Sequence, residues 1–270
     1  MYELRVRIKF HRAKLNEDNY MTAKLQAHRG VSTDYPENTL AAFNAAADEG
    51  YAIVECDPKY TADGEIVMHH DRTIARTGRT ADGNHAPDKN VSDLTFSELR
   101  ALDFGIWKSE KFRGEKAPTL RETLEFAEQR NMPIKIDNVW QSFPESMKEK
   151  LFRKARESRA DVAFTSNTVE SVRYVAAHTD RGAIHYDGDL SEETLKAVKA
   201  ASGERELYVW VCYDNELTGW FKGEKANPEV CARAKRYGKL GVWILSRDDE
   251  RETAETFGAE IIETTGSLKP

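Results

Sequence analysis

Apolar positions along this chain follow two alternating rhythms. LQAH, YAIVECD, EIVMHHD, MPIKID, VAFTS, RGAIHYD, LYVWVCY, KLGVWILS and AEIIETT are short, nearly continuous apolar runs, which reads as buried strands. Between most of them, apolar residues recur at helical spacing. Leu40, Phe43 and Ala47 do so after PENT, and Leu120, Leu124 and Ala127 within APTLRETLEFAEQRN. SMKEKLFRKARESRA, TVESVRYVAAHTD, SEETLKAVKAASG, NPEVCARAKRYG and RDDERETAETFG continue the series. Asn38 or Thr39 can accept from the free amides that open the first helix, and Gly50 closes it. Strands this apolar, alternating with helices, predict a parallel sheet covered by helices.

The runs number nine, one more than a closed eight-stranded barrel holds, with EIVMHH or LYVWVCY as the extra. An open doubly wound sheet is the competing architecture, but no glycine-rich loop follows LQAH. The expected fold is therefore α/β, a (β/α)8 TIM barrel. Residues 72–118 break the rhythm with glycines, a proline, a polar stretch and one amphipathic piece, TFSELRALD. They predict a small insertion after the third strand, where such segments shape a binding site. Residues 24–270 are expected to form a single barrel domain. Residues 1–23 form an N-terminal extension to which no role is assigned, and RVRIKF within it fits an edge strand, a leader or an arm on the barrel floor.

Composition narrows the picture modestly. A chain of 270 residues with 40% hydrophobic and 10% aromatic content can bury a substantial core. A formal charge of −6 argues against a nucleic-acid groove, which needs a basic face. Cys56, Cys212 and Cys231 are scattered without metal-ligand spacing, as expected of reduced thiols in a cytoplasmic protein. The charged N-terminus lacks a signal-peptide run and no stretch has transmembrane length, so no membrane insertion is expected. A homo-oligomer stays open.

The strand ends carry the chemistry. In a parallel barrel the C-terminal ends converge on one face. His28 and Arg29 close the first run, Glu55 and Asp57 the second, His70 and Asp71 the third, and Asp137 the fourth. Glu55 and Asp57 lie two residues apart and so point to one side of a strand. Three carboxylates suit a hard cation, Mg²⁺ or Ca²⁺. Two histidines beside it suit a general acid and a general base. Arg29 offers a planar fork for phosphate oxygens. One of His69 and His70 must face away, and nothing local says which. His185 ranks lower for the same mouth, while Trp140 and Trp210 read as core or rim packing.

HRG at His28, PENT with Ala42-Phe43, Glu55-x-Asp57, T-x-DG from Thr61, and HD-x-T-x-x-RT from His70 together resemble the glycerophosphodiester phosphodiesterases. LDFGIWKSEKF, PTLRETL, GVWILSRDD and FGAEIIETTG continue the resemblance, whereas residues 145–235 match only in rhythm. The resemblance implies metal-dependent hydrolysis of a glycerophosphodiester, a small-molecule substrate, to sn-glycerol 3-phosphate and an alcohol. By that resemblance His28 and His70 are the acid/base pair, Glu55 and Asp57 bind one divalent cation, Arg29 binds phosphate, and the Trp243 ring lies against the glycerol or leaving group. It also selects His70 over His69. The family's fourth strand has Glu-x-Lys, where this chain has Lys135-Ile136-Asp137 followed by Asn138 and Val139. Asp137 is then the third metal carboxylate. Lys135 is a phosphate-binding or supporting cation, or else one half of a buried ion pair. The alternatives are a phosphodiester lyase or transferase that releases a cyclic phosphate, and a non-catalytic barrel that binds a phosphorylated ligand.

Overall fold

The structure, a computed structural model, describes residues 22–270. Residues 1–21, with the RVRIKF alternation, lie outside the described residues. In chain order the strands are β1 (Lys24–Ala27), β2 (Ile53–Cys56), β3 (Pro58–Tyr60), β4 (Ile66–Met68), β5 (Ile134–Ile136), β6 (Val162–Ser166), β7 (Ile184–Tyr186), β8 (Leu207–Cys212), β9 (Lys239–Trp243) and β10 (Ala259–Thr264). Eight of them close into a barrel in the order β1-β10-β9-β8-β7-β6-β5-β2. Every neighbouring pair in it is parallel.

The extra strand is EIVMHH. It pairs antiparallel with β3, outside the barrel, so the insertion leaves the barrel after its second strand and His70 does not close a barrel strand. Ile66, Val67 and Met68 are all buried, which is why this piece reads like a barrel strand. Val67 in fact packs into a separate small core with Ile74, Val91, Leu94, Leu99 and Phe104. That core gives the insertion its own packing rather than leaving it a loose loop.

The helices are α1 (Leu40–Asp48), α2 (Phe96–Ala101), α3 (Leu120–Arg130), α4 (Glu145–Glu157), α5 (Val169–His178), α6 (Glu192–Ser202), α7 (Pro228–Lys235) and α8 (Asp248–Thr256). Thr119 and Glu122 form a reciprocal capping box that opens α3. Strand residues such as Leu25, Val54, Ile134, Ile136, Val209 and Val242 share one core with helix residues Phe43, Leu124, Leu151 and Leu195. The alternate strand residues form a second set. Tyr208, Trp210, Trp243 and Ile261 cluster together, and Glu55, Lys135, His185 and Glu263 are buried polar positions of the same parity. Gly241 is paired with Trp210 across β8 and β9, and a Cβ there would lie 2.5 Å from the Trp210 ring. The missing side chain is what admits the indole.

The turn leaving β1 is equally constrained. Gly30 has φ +78°, and a Cβ on it would meet Ala42 of α1 at 2.6 Å. Gly30→Ala is therefore expected to destabilise the fold by about 1–3 kcal/mol through left-handed strain and overpacking. Denaturant unfolding checks this, the expected result being a lower midpoint with an unchanged slope.

Candidate active site

Tight turns bring the functional groups together at the mouth of the barrel. Arg29 follows β1 with φ 59°, a left-handed conformation costing a non-glycine residue about 1–2 kcal/mol. That backbone donates the Arg29 amide to Glu55 Oε2 at 2.9 Å. The guanidinium lies 3.5 Å from Asp57 and 3.1 Å from Glu37. Asn38, also left-handed at φ 55°, clamps Asp57 from both sides. Its Nδ2 donates to Asp57 Oδ2 at 2.7 Å, and its Oδ1 accepts the Asp57 amide at 3.1 Å. Strain of this kind persists where surrounding bonds over-determine it.

Asp137 follows β5 and accepts from the Val139 amide at 3.3 Å. One carboxylate oxygen from each of Glu55, Asp57 and Asp137 lies within 4.8 Å of the others. Burial pushes the Glu55 carboxyl well above its ordinary range, and Asp57, Glu263 and Asp137 push it further. Asp137 is raised to about 6, by burial and then by Asp57. Burial also works against Asp57, but Arg29 prevails and holds it low. Two buried carboxylates and a half-buried third, which repel one another and lack a full set of counter-charges, fit a hard divalent cation.

His28 stands 4.0 Å from Glu55, and its amide donates to Thr264 at 2.8 Å. Burial lowers its pKa to about 4, Arg29 and Lys135 assisting, so the ring is neutral at pH 7. His70 arrives by another route. The His69 amide donates to the Asp57 carbonyl at 2.8 Å, which ties the excursion to the end of β2. The His69 ring turns away to the Thr73 carbonyl at 3.1 Å and lies edge-on to Phe104. His70 Nδ1 lies 2.7 Å from Asp71, and Asp71 accepts from Arg76 at 2.6 Å. Arg76 donates to Glu37 at 2.8 and 2.6 Å, and Glu37 holds Arg29. One chain of charges thus links the two histidine-bearing segments.

The resulting cleft, about 210 Å³, is lined by His28, Arg29, Glu55, Asp57, His70, Lys135, Asp137 and Trp243. Every residue the sequence put forward for catalysis, metal or phosphate reaches it. His185 does not. It lies buried in the barrel, where its Nδ1 accepts from the Trp210 indole at 2.8 Å. Trp140 packs in the core and donates to the Thr165 carbonyl. Lys135 pairs with Glu263 at 2.9 Å and lies 4.0 Å above the Trp210 ring. Its ammonium is a fixed cation inside the barrel.

The same cleft holds groups the sequence reading passed over: Glu263, Asp187 and Trp220. Glu263 was legible from the period-2 alternation of AEIIETT, and Asp187 from its position just past β7, matching Asp57 and Asp137. Trp220 carries no comparable signal. Asp187 accepts from the Trp243 indole at 3.2 Å, and burial raises its pKa to about 7.

Asp137 and Asp187 together set a pH dependence. Each is raised above its ordinary 3.8, so the folded state favours their protonated forms. The stability they contribute is complete below 3.8 and is lost as pH rises through about 6 and then about 7. Thermal unfolding in chelator is expected to show stability declining across that window. Added divalent cation is expected to cancel the Asp137 part only.

A model of the glycerophosphoryl diester phosphodiesterase family matches residues 28–242. A glycerophosphodiester phosphodiesterase of Caldanaerobacter subterraneus subsp. tengcongensis is 34% identical over 246 residues, covering 88% of this chain and 92% of that one. Glycerophosphodiester phosphodiesterase 1 of Bos taurus is 43% identical over 113 residues, 41% of this chain and 32% of that one. Among solved structures, an Oleispira antarctica phosphodiesterase in complex with the product sn-glycerol-3-phosphate superimposes with a TM-score of 0.71. It is 21% identical, covering 91% of this chain and 94% of that one, a likeness of fold.

Proposed function

This chain belongs to the glycerophosphoryl diester phosphodiesterase family and is a phosphoric diester hydrolase, and we propose that it converts a glycerophosphodiester to sn-glycerol 3-phosphate and an alcohol using one divalent cation and two histidines. The observation that carries this reading is the convergence of His28, His70, Arg29 and three carboxylates on one cleft. Glu55, Asp57 and Asp137 would hold Mg²⁺ or Ca²⁺. When bound, the cation supplies charge neutralisation at the phosphoryl oxygens. Arg29 donates its fork to the same oxygens.

His28, neutral at pH 7, takes the proton from a glycerol hydroxyl as that oxygen attacks phosphorus. The bond from phosphorus to the alcohol oxygen breaks, and that oxygen takes a proton from His70. Asp71 orients the His70 ring from Nδ1, leaving Nε2 for the transfer. Water then opens the cyclic phosphate, giving one proton to His70 as it attacks, while His28 returns its proton to the glycerol oxygen. Trp243 walls the glycerol. Lys135, held by Glu263, adds fixed positive charge beside Glu55, its register partner across β2 and β5. The three free, buried thiols fit a reducing, cytoplasmic setting. Among the described residues no helix is long and apolar enough to cross a membrane.

Phosphorus NMR of the reaction tests the proposal. A phosphomonoester as final product supports it, whereas a cyclic phosphate accumulating as end product makes the enzyme a lyase.

A further inference from the structure

A second cavity, about 470 Å³, adjoins the reaction cleft at His70 and is lined by Lys59, Tyr60, Arg72, Ser92, Val139 and Phe143, among others. His70 is the one residue common to it and the reaction cleft. We propose that this cavity is the subsite for the leaving alcohol and that it selects alcohols bearing an anionic group. The inference rests on the hydrolase reading above, in which His70 protonates the departing oxygen. The alcohol must then lie against His70, and the cleft itself has room for little beyond the glycerol phosphate.

The lining decides the charge. Lys59 and Arg72 are cations, and no carboxylate lines the cavity, although the chain as a whole is acidic. The Lys59 ammonium is buried and has no hydrogen-bond partner among the described residues, a condition that an anionic ligand relieves. Arg72 is exposed. Tyr60 and Phe143 meet edge to face at 5.1 Å and supply an apolar wall for the alcohol's carbons. The other neighbouring cavity, about 380 Å³, shares Asp187 and Trp210 with the cleft but touches neither His28 nor His70.

Three glycerophosphodiesters matched in length test this, with 3-hydroxypropanoate, 1,3-propanediol or 3-aminopropanol as the alcohol. The measurement is kcat/KM for each, with wild type, Lys59→Met and Arg72→Glu. Comparing proteins on the same three diesters cancels the alcohols' differing intrinsic reactivity. Wild type is expected to favour the carboxylate over the diol by about tenfold. Lys59→Met is expected to erase that ratio, and Arg72→Glu to shift preference toward the amine. Arg72 is exposed, so its variant remains informative if Lys59→Met fails to fold. Turnover without charge preference, a wild-type preference for the amine, or ratios unmoved in Arg72→Glu overturns the inference alone. No turnover of any diester overturns the hydrolase reading and the inference with it.

Discussion

His70→Ala is expected to lower kcat by roughly 10²–10⁴-fold, the range for losing a positioned proton donor, without changing the unfolding temperature. The side chain is 39% exposed and is held chiefly by Asp71, so its removal leaves no buried cavity. The assignment of acid and base gives a sharper expectation. A diester whose leaving group is p-nitrophenol departs as a stable anion and needs little protonation. The loss in His70→Ala should therefore shrink strongly on that substrate. His28→Ala, which removes the base, should lose about as much on either substrate. Steady-state kinetics on the two leaving groups read this directly. Equal losses in His70→Ala on both would show that His70 is not the acid.

Asp57→Asn is expected to abolish the stabilisation that a divalent cation confers. In wild type, a cation at a hundred times its dissociation constant should add about 2.7 kcal/mol by mass action. The cluster is in place before binding, because Asn38 fixes Asp57 from both sides and Asp137 is anchored as a turn cap. Thermal unfolding with Mg²⁺ or Ca²⁺ against chelator measures the difference, which should disappear in the variant. Activity should fall on the order of 10³-fold, since the neutralising charge is worth several kcal/mol in the transition state. A cation-dependent rise that survives in Asp57→Asn would place the ion elsewhere.

How far these groups were legible in the sequence depends on what fixes each one. Glu55 and Asp57 share a side by strand alternation, and Asp137 stands one residue past β5 as Asp57 does past β2. Strands apolar on both faces call for a parallel sheet covered by helices, and the lack of a glycine-rich loop after LQAH favoured the closed barrel over an open sheet. The β3–β4 excursion was not separable. Ile66 and Met68 pack in the main core and Val67 in the satellite one, so all three are as buried as a barrel strand and leave the same apolar signature. The choice between His69 and His70 was also beyond local pattern. In the fold the His69 amide donates to Asp57 beside the end of β2 and its ring turns to Thr73, while His70 lines the cleft. Lys135 was read with two outcomes open; it pairs with Glu263 on β10, a partner 128 residues away, and also lines the cleft. The network from Arg29 through Glu37 and Arg76 to Asp71 was invisible for a related reason. Its members are ordinary surface-type charges until the fold brings them together.

Dependence of catalysis on the cation is read from the initial rate of sn-glycerol 3-phosphate release from a glycerophosphodiester, after complete removal of divalent ions and then during their titration back. The stripped enzyme is expected to show no measurable release, with saturable recovery on adding Mg²⁺ or Ca²⁺. Undiminished release from the stripped enzyme would contradict that dependence.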